Sequence, residues 1–166
     1  MNIKLIYPAS YLKHKNHNLL FENAKTIYKH FPELEFILTI DQNQFKCNPN
    51  NIICIGRVSR KQVLEKLINA DALLFLSSFE SLGIPLIEAA KLSKPIIAPK
   101  LSYSEELIGK NAYYFDLNNN FLDSFMNTLF LFRNDLKKNK VIKASLIPEI
   151  ISTDTLIRLF LNKLNN

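Results

Sequence analysis

The sequence predicts an α/β protein with a Rossmann-like, doubly wound parallel sheet of about six strands and helices on both faces. Two observations support this fold class. Short apolar runs alternate along the chain with segments whose apolar residues recur at helical spacing. Most of these runs also lack the polar–apolar alternation of a strand with one wet face, so they fit a parallel sheet covered on both sides.

The first half of the chain contains three predicted strands and two predicted helices. The strands cover residues 3–7, 34–40 and 52–55, and the last two are separated by a polar loop over 41–51. Pro8 ends the first strand and Gly56 closes the third. The helix between the first two strands has its apolar side at Leu19, Leu20, Ala24, Ile27 and Tyr28. Ser59 is a suitable N-cap for the second helix, whose apolar side carries Val63, Leu64, Leu67 and Ile68.

The second half continues the alternation. Strands are predicted over residues 72–76, 94–99 and 112–115. A helix begins near Pro85, because proline suits the first turn, where its missing N–H needs no partner. Further helices are expected over 104–108, from Phe121 to the Lys137–Lys138 region, and over 155–164. We expect residues 1–166 to form one domain, with 153–166 as a terminal helix.

Composition limits the protein class. A chain of 166 residues with 48% hydrophobic and 22% charged residues can bury its own core, which argues against disorder. The net charge of +6 is compatible with nucleic acid, an anionic membrane face or an anionic small molecule. A solvated lysine-rich surface explains the same charge without any partner.

Cysteine usage and hydropathy point to the cytoplasm. Cys47 and Cys54 are the two cysteines, and they indicate neither a disulfide framework nor a metal cluster. The N-terminus enters a strand pattern directly, which does not suit a signal peptide, and no apolar run reaches the length of a membrane span. We therefore expect a cytoplasmic protein.

The stretch over residues 77–88 is the predicted functional centre. It connects a buried strand to a helix that begins at Gly83-Ile84-Pro85, with Glu80 before the helix and Glu88 about one turn inside it. Backbone N–H groups at a helix N-terminus bind anions, and carboxylates can hold hydroxyl groups. This arrangement suits a phosphorylated, hydroxyl-rich ligand, although a plain connection is the alternative.

Two further loops are expected at the same edge of the sheet. Doubly wound sheets bind ligands beyond the carboxyl ends of their strands. The loop after the first strand carries Lys15, and the loop after the third carries Gly56, Arg57 and Val58. Their convergence on residues 77–88 favours a binding site over a connection.

The spacing of Glu80 and Glu88 within this stretch resembles the signature of the retaining glycosyltransferases of family 4, or group 1, which have the GT-B fold. The resemblance continues into residues 93–98 and 103–108. Upstream, residues 14–16 resemble the family's phosphate-binding lysine segment, and residues 51–58 resemble its base-contacting strand and loop. About residues 1–140 are covered.

The resemblance implies a C-terminal, donor-binding domain that transfers a glycosyl group from a UDP- or GDP-type nucleotide-diphosphate sugar and needs no metal or other cofactor. We expect the product to be a bacterial surface polysaccharide. Lys15 would neutralise the leaving diphosphate, Glu80 would face the donor sugar and Glu88 would bind the ribose. The backbone N–H groups of Leu82, Gly83 and Ile84 would hold diphosphate or sugar oxygens. The base-contacting loop would add further donor contacts through Arg57 and Val58.

Several positions depart from the family pattern. The arginine that precedes the lysine by about six residues is replaced at Ala9 and Ser10, for which Lys13 or Arg57 could substitute. The glycine-rich turn after the second strand is replaced by residues 41–43. GT-B enzymes bind the acceptor in an N-terminal domain, so we expect a fragment or a chain that works with a separate acceptor subunit.

Alternative interpretations remain at this stage. A non-catalytic nucleotide or nucleotide-sugar binding module fits the missing arginine, whereas a polyanion-binding domain would rest on charge alone, and no nucleic-acid motif is present. The lysines near the end of the long helix could touch anionic lipid or belong to a solvated helix end. These lysines are Lys137, Lys138, Lys140 and Lys143. The histidines, at positions 14, 17 and 30, are expected at the surface or at helix ends.

Overall fold

The computed structural model describes residues 2–44 and 49–147. Its centre is a sheet of six parallel strands in the order β3-β2-β1-β4-β5-β6. The strands are β1 (Ile3–Tyr7), β2 (Leu34–Leu38), β3 (Ile52–Cys54), β4 (Ala72–Leu74), β5 (Ile96–Pro99) and β6 (Tyr113–Phe115). The predicted six-stranded, doubly wound fold is therefore confirmed.

Five α-helices connect and flank the strands. They are α1 (His17–His30), α2 (Arg60–Asn69), α3 (Ile84–Lys91), α4 (Ser102–Ile108) and α5 (Phe121–Lys137). The start of α2 follows local chemistry, since the Ser59 hydroxyl accepts from the Gln62 N–H and the Gln62 side chain accepts from the Ser59 N–H. The helix starts predicted at Ser59 and near Pro85 are confirmed.

The strand order reverses between β1 and β4. The chain builds β1, β2 and β3 outward in one direction, then returns to place β4 on the other side of β1. In such sheets the loops after the two central strands separate and leave a crevice at their carboxyl ends. The predicted functional stretch follows β4 and therefore lies at this crevice.

The central strands are shorter than predicted. β2 ends at Leu38 instead of residue 40, and β4 ends at Leu74 instead of residue 76. β1 pairs with both and stops at Tyr7, because Pro8 has no N–H with which to extend the ladder. Phe75 and Leu76 stay fully buried as they leave the sheet.

Burial confirms most of the predicted core and corrects two positions. Leu20, Ala24 and Ile27, on the predicted apolar side of α1, are buried. Tyr28 and Ile68, which the helical spacing places on apolar faces, are exposed. Helical spacing overestimates the buried face here, because Leu67 is the buried residue of α2, which connects the edge strand β3 to β4.

Two predictions fall outside this description, namely the terminal helix over 153–166 and the state of Cys47. Cys54 is a free, half-buried cysteine, and burial raises the pKa of its thiol. Among the helices described, none is both long and apolar enough to cross a membrane.

Candidate nucleotide-sugar site

The loops that follow β1 and β4 are joined to each other by hydrogen bonds. The Asn16 side-chain amide donates to the Leu76 carbonyl at 2.8 Å, and the Ser78 N–H donates to the His14 carbonyl at 2.8 Å. Asn16 has a positive φ of 53°, a left-handed conformation that asparagine tolerates better than most residues. This turn ends a short 3-10 helix over Lys13–Lys15 and starts α1.

This junction brings Lys15 and Glu80 together across the crevice. The Lys15 Nζ donates to Glu80 Oε1, and the two side chains are only 15% and 12% exposed. The residues are 65 positions apart in sequence, yet their convergence was expected from the position of the two loops in a doubly wound sheet. The ammonium group and the carboxylate form a nearly buried pair where the strand order reverses.

Two buried tyrosines lie near Glu80. Burial, followed by the negative charge of Glu80, raises the pKa of the Tyr7 phenol and that of the Tyr103 phenol. Both groups therefore stay protonated and act as hydrogen-bond donors at neutral pH. Their acceptors are main-chain carbonyls, Lys15 for Tyr7 and Ser77 for Tyr103.

Gly83 turns the chain into α3. Its φ of +61° is strained for residues with a side chain, and a Cβ atom there would lie 3.0 Å from Leu107 Cδ1. Pro85 follows in the first turn, and the Leu86 and Ile87 N–H groups bond to the Gly83 carbonyl. Leu82 and Ile84 flank this turn, so the predicted helix N-terminus is present beside Glu80, with an orientation suited to an anion.

Glu88 is paired with a residue that the sequence did not point to. The guanidinium Nη2 of Arg60, the first residue of α2, lies 2.8 Å from Glu88 Oε1. Arg60 is 73% exposed and Glu88 only 12%. Among the described residues no donor hydrogen is aligned on this buried oxygen, so the contact is a charge pair and Oε1 can still accept a hydrogen bond. The helices α2 and α3 come together only in the folded protein, so the spacing of residues in the sequence could not predict the role of Arg60.

Arg57 and Val58 line a separate cleft at the same edge of the sheet. This cleft has a volume of about 550 Å³ and also contains Ala9, Ser10 and Asp41. The loop after β3 therefore reaches the loop after β1, as expected. Arg57 shares the cleft with the two positions at which the resemblance called for an arginine, whereas Lys13 lines a different cleft beside α1.

His17 is at a helix end, as expected, but it is buried. It is the first residue of α1, its ring lies 4.8 Å from that of Tyr7, and 1% of the residue is exposed. Burial and then the positive charge of Lys15 lower the pKa of its imidazole to about 4. His17 is therefore neutral at physiological pH, while His14 is half-buried and His30 is exposed.

The basic residues proposed for lipid contact lie away from this site. Lys137, Lys138, Lys140 and Lys143 are exposed at and beyond the end of α5. The Lys137 Nζ is 4.0 Å from Glu33, which immediately precedes β2. These lysines therefore belong to the amino edge of the sheet, opposite the crevice. No three acidic, histidine or cysteine side chains come close enough to hold a metal ion within residues 2–44 and 49–147.

Comparison with solved structures shows the same fold in glycosyltransferases. TarM, named for S. aureus in one such structure, aligns over 100% of this chain and 37% of its own, with a TM-score of 0.69 and 21% identity. Starch synthase IV from Arabidopsis thaliana aligns with a TM-score of 0.62 and 15% identity, over 99% of this chain and 35% of its own. The pneumococcal O-GlcNAc transferase GtfA aligns with a TM-score of 0.61 and 17% identity, over 98% of this chain and 32% of its own. The chain thus spans about a third of the length of these proteins.

Sequence comparison assigns the family. No curated protein matches the chain. A family described as "Glycosyl transferases group 1" matches residues 1–122, which include β1 to β6, Lys15, Glu80 and Glu88. Since this match covers well over half of the chain, the protein belongs to the group 1 glycosyltransferase family.

Proposed function

We propose that this chain is the donor-binding half of a retaining glycosyltransferase, and that it binds a nucleotide-diphosphate sugar at the crevice between β1 and β4. The observation that carries the proposal is the nearly buried Lys15–Glu80 pair at that crevice, next to the N-terminus of α3. A ligand that carries both anionic oxygens and hydroxyl groups can satisfy the two charges separately.

Each side chain then has a distinct task. Lys15 neutralises charge on the diphosphate as the bond to the sugar breaks, and such electrostatic stabilisation is usually the largest catalytic contribution. Glu80 accepts hydrogen bonds from donor-sugar hydroxyls, and the N–H groups of Leu82, Gly83 and Ile84 hold diphosphate or sugar oxygens. No metal or other cofactor is required in this proposal.

The other end of the donor is bound by the second carboxylate and the cleft after β3. Glu88 Oε1, buried and without an aligned donor among the described residues, can accept from a ribose hydroxyl. Arg57 and Val58 contact the base or its phosphate, with Arg57 in the role of the missing arginine because it shares a cleft with Ala9 and Ser10.

The partners follow from the family and from the solved structures of similar fold. TarM and GtfA are solved in complex with UDP, and starch synthase IV is solved with ADP. These complexes support UDP sugars as the first donors to test, with GDP sugars as the other type. Transfer to an acceptor requires an acceptor domain or subunit, and a bacterial surface polysaccharide is the product we propose. We propose a cytoplasmic site of action, with the lysines at the amino edge available for anionic lipid.

Titration calorimetry with UDP, GDP and ADP sugars tests the proposal. The wild-type chain should bind one of them, and Lys15→Met should weaken that binding about tenfold or more, because a charge-assisted contact contributes about 1.5–3 kcal/mol. Lys138→Met, at the opposite edge, is the matched control and should leave the affinity unchanged. Absence of binding to every donor, or equal affinity in Lys15→Met, would refute the donor role.

A non-catalytic nucleotide-sugar binding module is the second candidate. It is favoured by Ala9 and Ser10, which occupy the positions of the family's arginine. Slow donor hydrolysis or transfer by the purified chain, lost in Lys15→Met, would exclude it. Donor binding without any turnover, even when an acceptor domain is supplied, would favour it.

A further inference from the structure

Tyr7 connects the core to the loop that carries Lys15. It is the last residue of β1 and is fully buried. Its hydroxyl donates to the main-chain carbonyl of Lys15 at 2.8 Å. Phenylalanine would fill the same space in the core, so the hydroxyl group contributes the contact with the loop rather than the packing.

Tyr103 makes the corresponding contact on the other side of the crevice. It lies on α4, and its hydroxyl donates to the Ser77 carbonyl at 2.6 Å in a buried hydrogen bond. Ser77 is three residues before Glu80 in the same loop. The Phe75 ring lies between the two tyrosines, with ring centroids 5.9 Å from Tyr7 and 6.2 Å from Tyr103. A row of three aromatic side chains thus underlies the Lys15–Glu80 pair.

We propose that Tyr7 and Tyr103 are positioning residues, which hold the main chain of the two loops so that Lys15 and Glu80 face the donor at the distance binding requires. This inference rests on the proposed function. Neither phenol is assigned a contact with the donor, and each acts through the backbone of the residue or loop it holds.

The two tyrosines should have separable effects. Tyr7 holds the main chain of Lys15, so loss of its hydroxyl lets this loop shift, misplaces the ammonium group and weakens binding of the diphosphate. Tyr103 holds the loop of Glu80, so loss of its hydroxyl affects the sugar-facing carboxylate more than the diphosphate. A role restricted to stability would lower the melting temperature of both variants and leave these two preferences unchanged.

Three Tyr→Phe variants in the full chain test the inference. Tyr7→Phe should bind UDP about three- to tenfold more weakly, the loss that one neutral hydrogen bond accounts for. Tyr103→Phe should keep UDP affinity within about twofold and lose about threefold or more of the preference for UDP-N-acetylglucosamine, or the best-bound sugar nucleotide, over UDP. Tyr113→Phe is the control, because its hydroxyl donates to Asp135 of α5 rather than to either loop.

Amide hydrogen exchange in the ligand-free protein separates this inference from the proposed function. The Ser78 N–H joins the two loops, so its exchange should accelerate in Tyr7→Phe and Tyr103→Phe and stay unchanged in Tyr113→Phe. Unchanged exchange in both Tyr7→Phe and Tyr103→Phe overturns the inference. If the wild type binds UDP, unchanged UDP affinity in Tyr7→Phe and an unchanged sugar preference in Tyr103→Phe overturn it as well. If the wild type binds no nucleotide while exchange still accelerates, the proposed function fails and the positioning of the loops stands.

Discussion

Replacement of Lys15 by methionine should destabilise the protein as well as weaken donor binding. The change removes the cation that neutralises Glu80, whose side chain is only 12% exposed. Loss of one partner costs about 3–5 kcal/mol in a buried ion pair, whereas an exposed pair contributes about 0–1 kcal/mol. For a pair of intermediate burial we expect a loss of about 2 kcal/mol in the free energy of unfolding, or about 4–8 °C in Tm for a chain of this size.

A double-mutant cycle isolates the interaction itself. Glu80→Gln should cost less than Lys15→Met, about 1 kcal/mol, because a released lysine can extend its ammonium group into water. The double variant should then lose less than the sum of the single changes, with a coupling energy of about 1–2 kcal/mol. The pair of Glu33 and the 63% exposed Lys137, 4.0 Å apart, provides a control cycle whose coupling should stay below about 0.5 kcal/mol.

Urea unfolding followed by circular dichroism measures all of these quantities. The midpoints should shift at constant m-value, because none of the changes alters the surface exposed on unfolding. A coupling energy between Lys15 and Glu80 no larger than that of the control cycle would refute the reasoning. It would mean that water screens the pair in solution as fully as an exposed one.

Three further substitutions test single structural features, each by urea unfolding. The free energy of unfolding should fall by about 2 kcal/mol between about pH 7.5 and pH 5. The reason is that His17 takes up a proton near its ordinary pKa of 6.5 in the unfolded state, but only near pH 4 when it is buried. His17→Phe should lose this pH dependence, and an unchanged slope would contradict the assignment. Gly83→Ala should cost about 1–2 kcal/mol because of its φ of +61°, and a neutral effect would show that the turn relaxes. Lys94→Met should cost about 1–2 kcal/mol, because the Lys94 Nζ caps the end of α2 by donating to the Ile68 and Ala70 carbonyls at 2.6 and 2.8 Å. Replacement of the exposed Lys91 by methionine is the control, and equal losses in the two variants would refute this capping role.

Most secondary structure was predictable because it is encoded locally. Ser59 and Pro85 mark helix starts through their own chemistry, and the apolar runs identify each of the six strands. The exact strand ends were not predictable, because they depend on a neighbour: β2 and β4 stop early where Pro8 ends β1 between them. Tyr28 and Ile68 were misplaced for a related reason, since periodicity identifies an apolar face without showing how much of it a neighbour covers.

The candidate site was predictable in part. A topological rule places the loops after β1 and β4 at one crevice, so the approach of the two loops that carry Lys15 and Glu80 could be expected from the sequence. The pairing of Arg60 with Glu88 could not, because α2 and α3 are separated by β4 and their relative placement depends on packing. The burial of His17 depends in the same way on the rings of Tyr7 and Tyr11 around it.

By itself, the sequence determined the fold class, the strand–loop–helix unit around residues 77–88 and the spacing of its two carboxylates. These features arise from backbone chemistry and short-range periodicity, which a single stretch of chain contains in full. The tertiary structure alone decided that Arg60 faces Glu88 and which tyrosine holds each loop. Such contacts join residues far apart in the chain, and a charge pair or a hydrogen bond forms only when packing brings the two groups within about 3 Å.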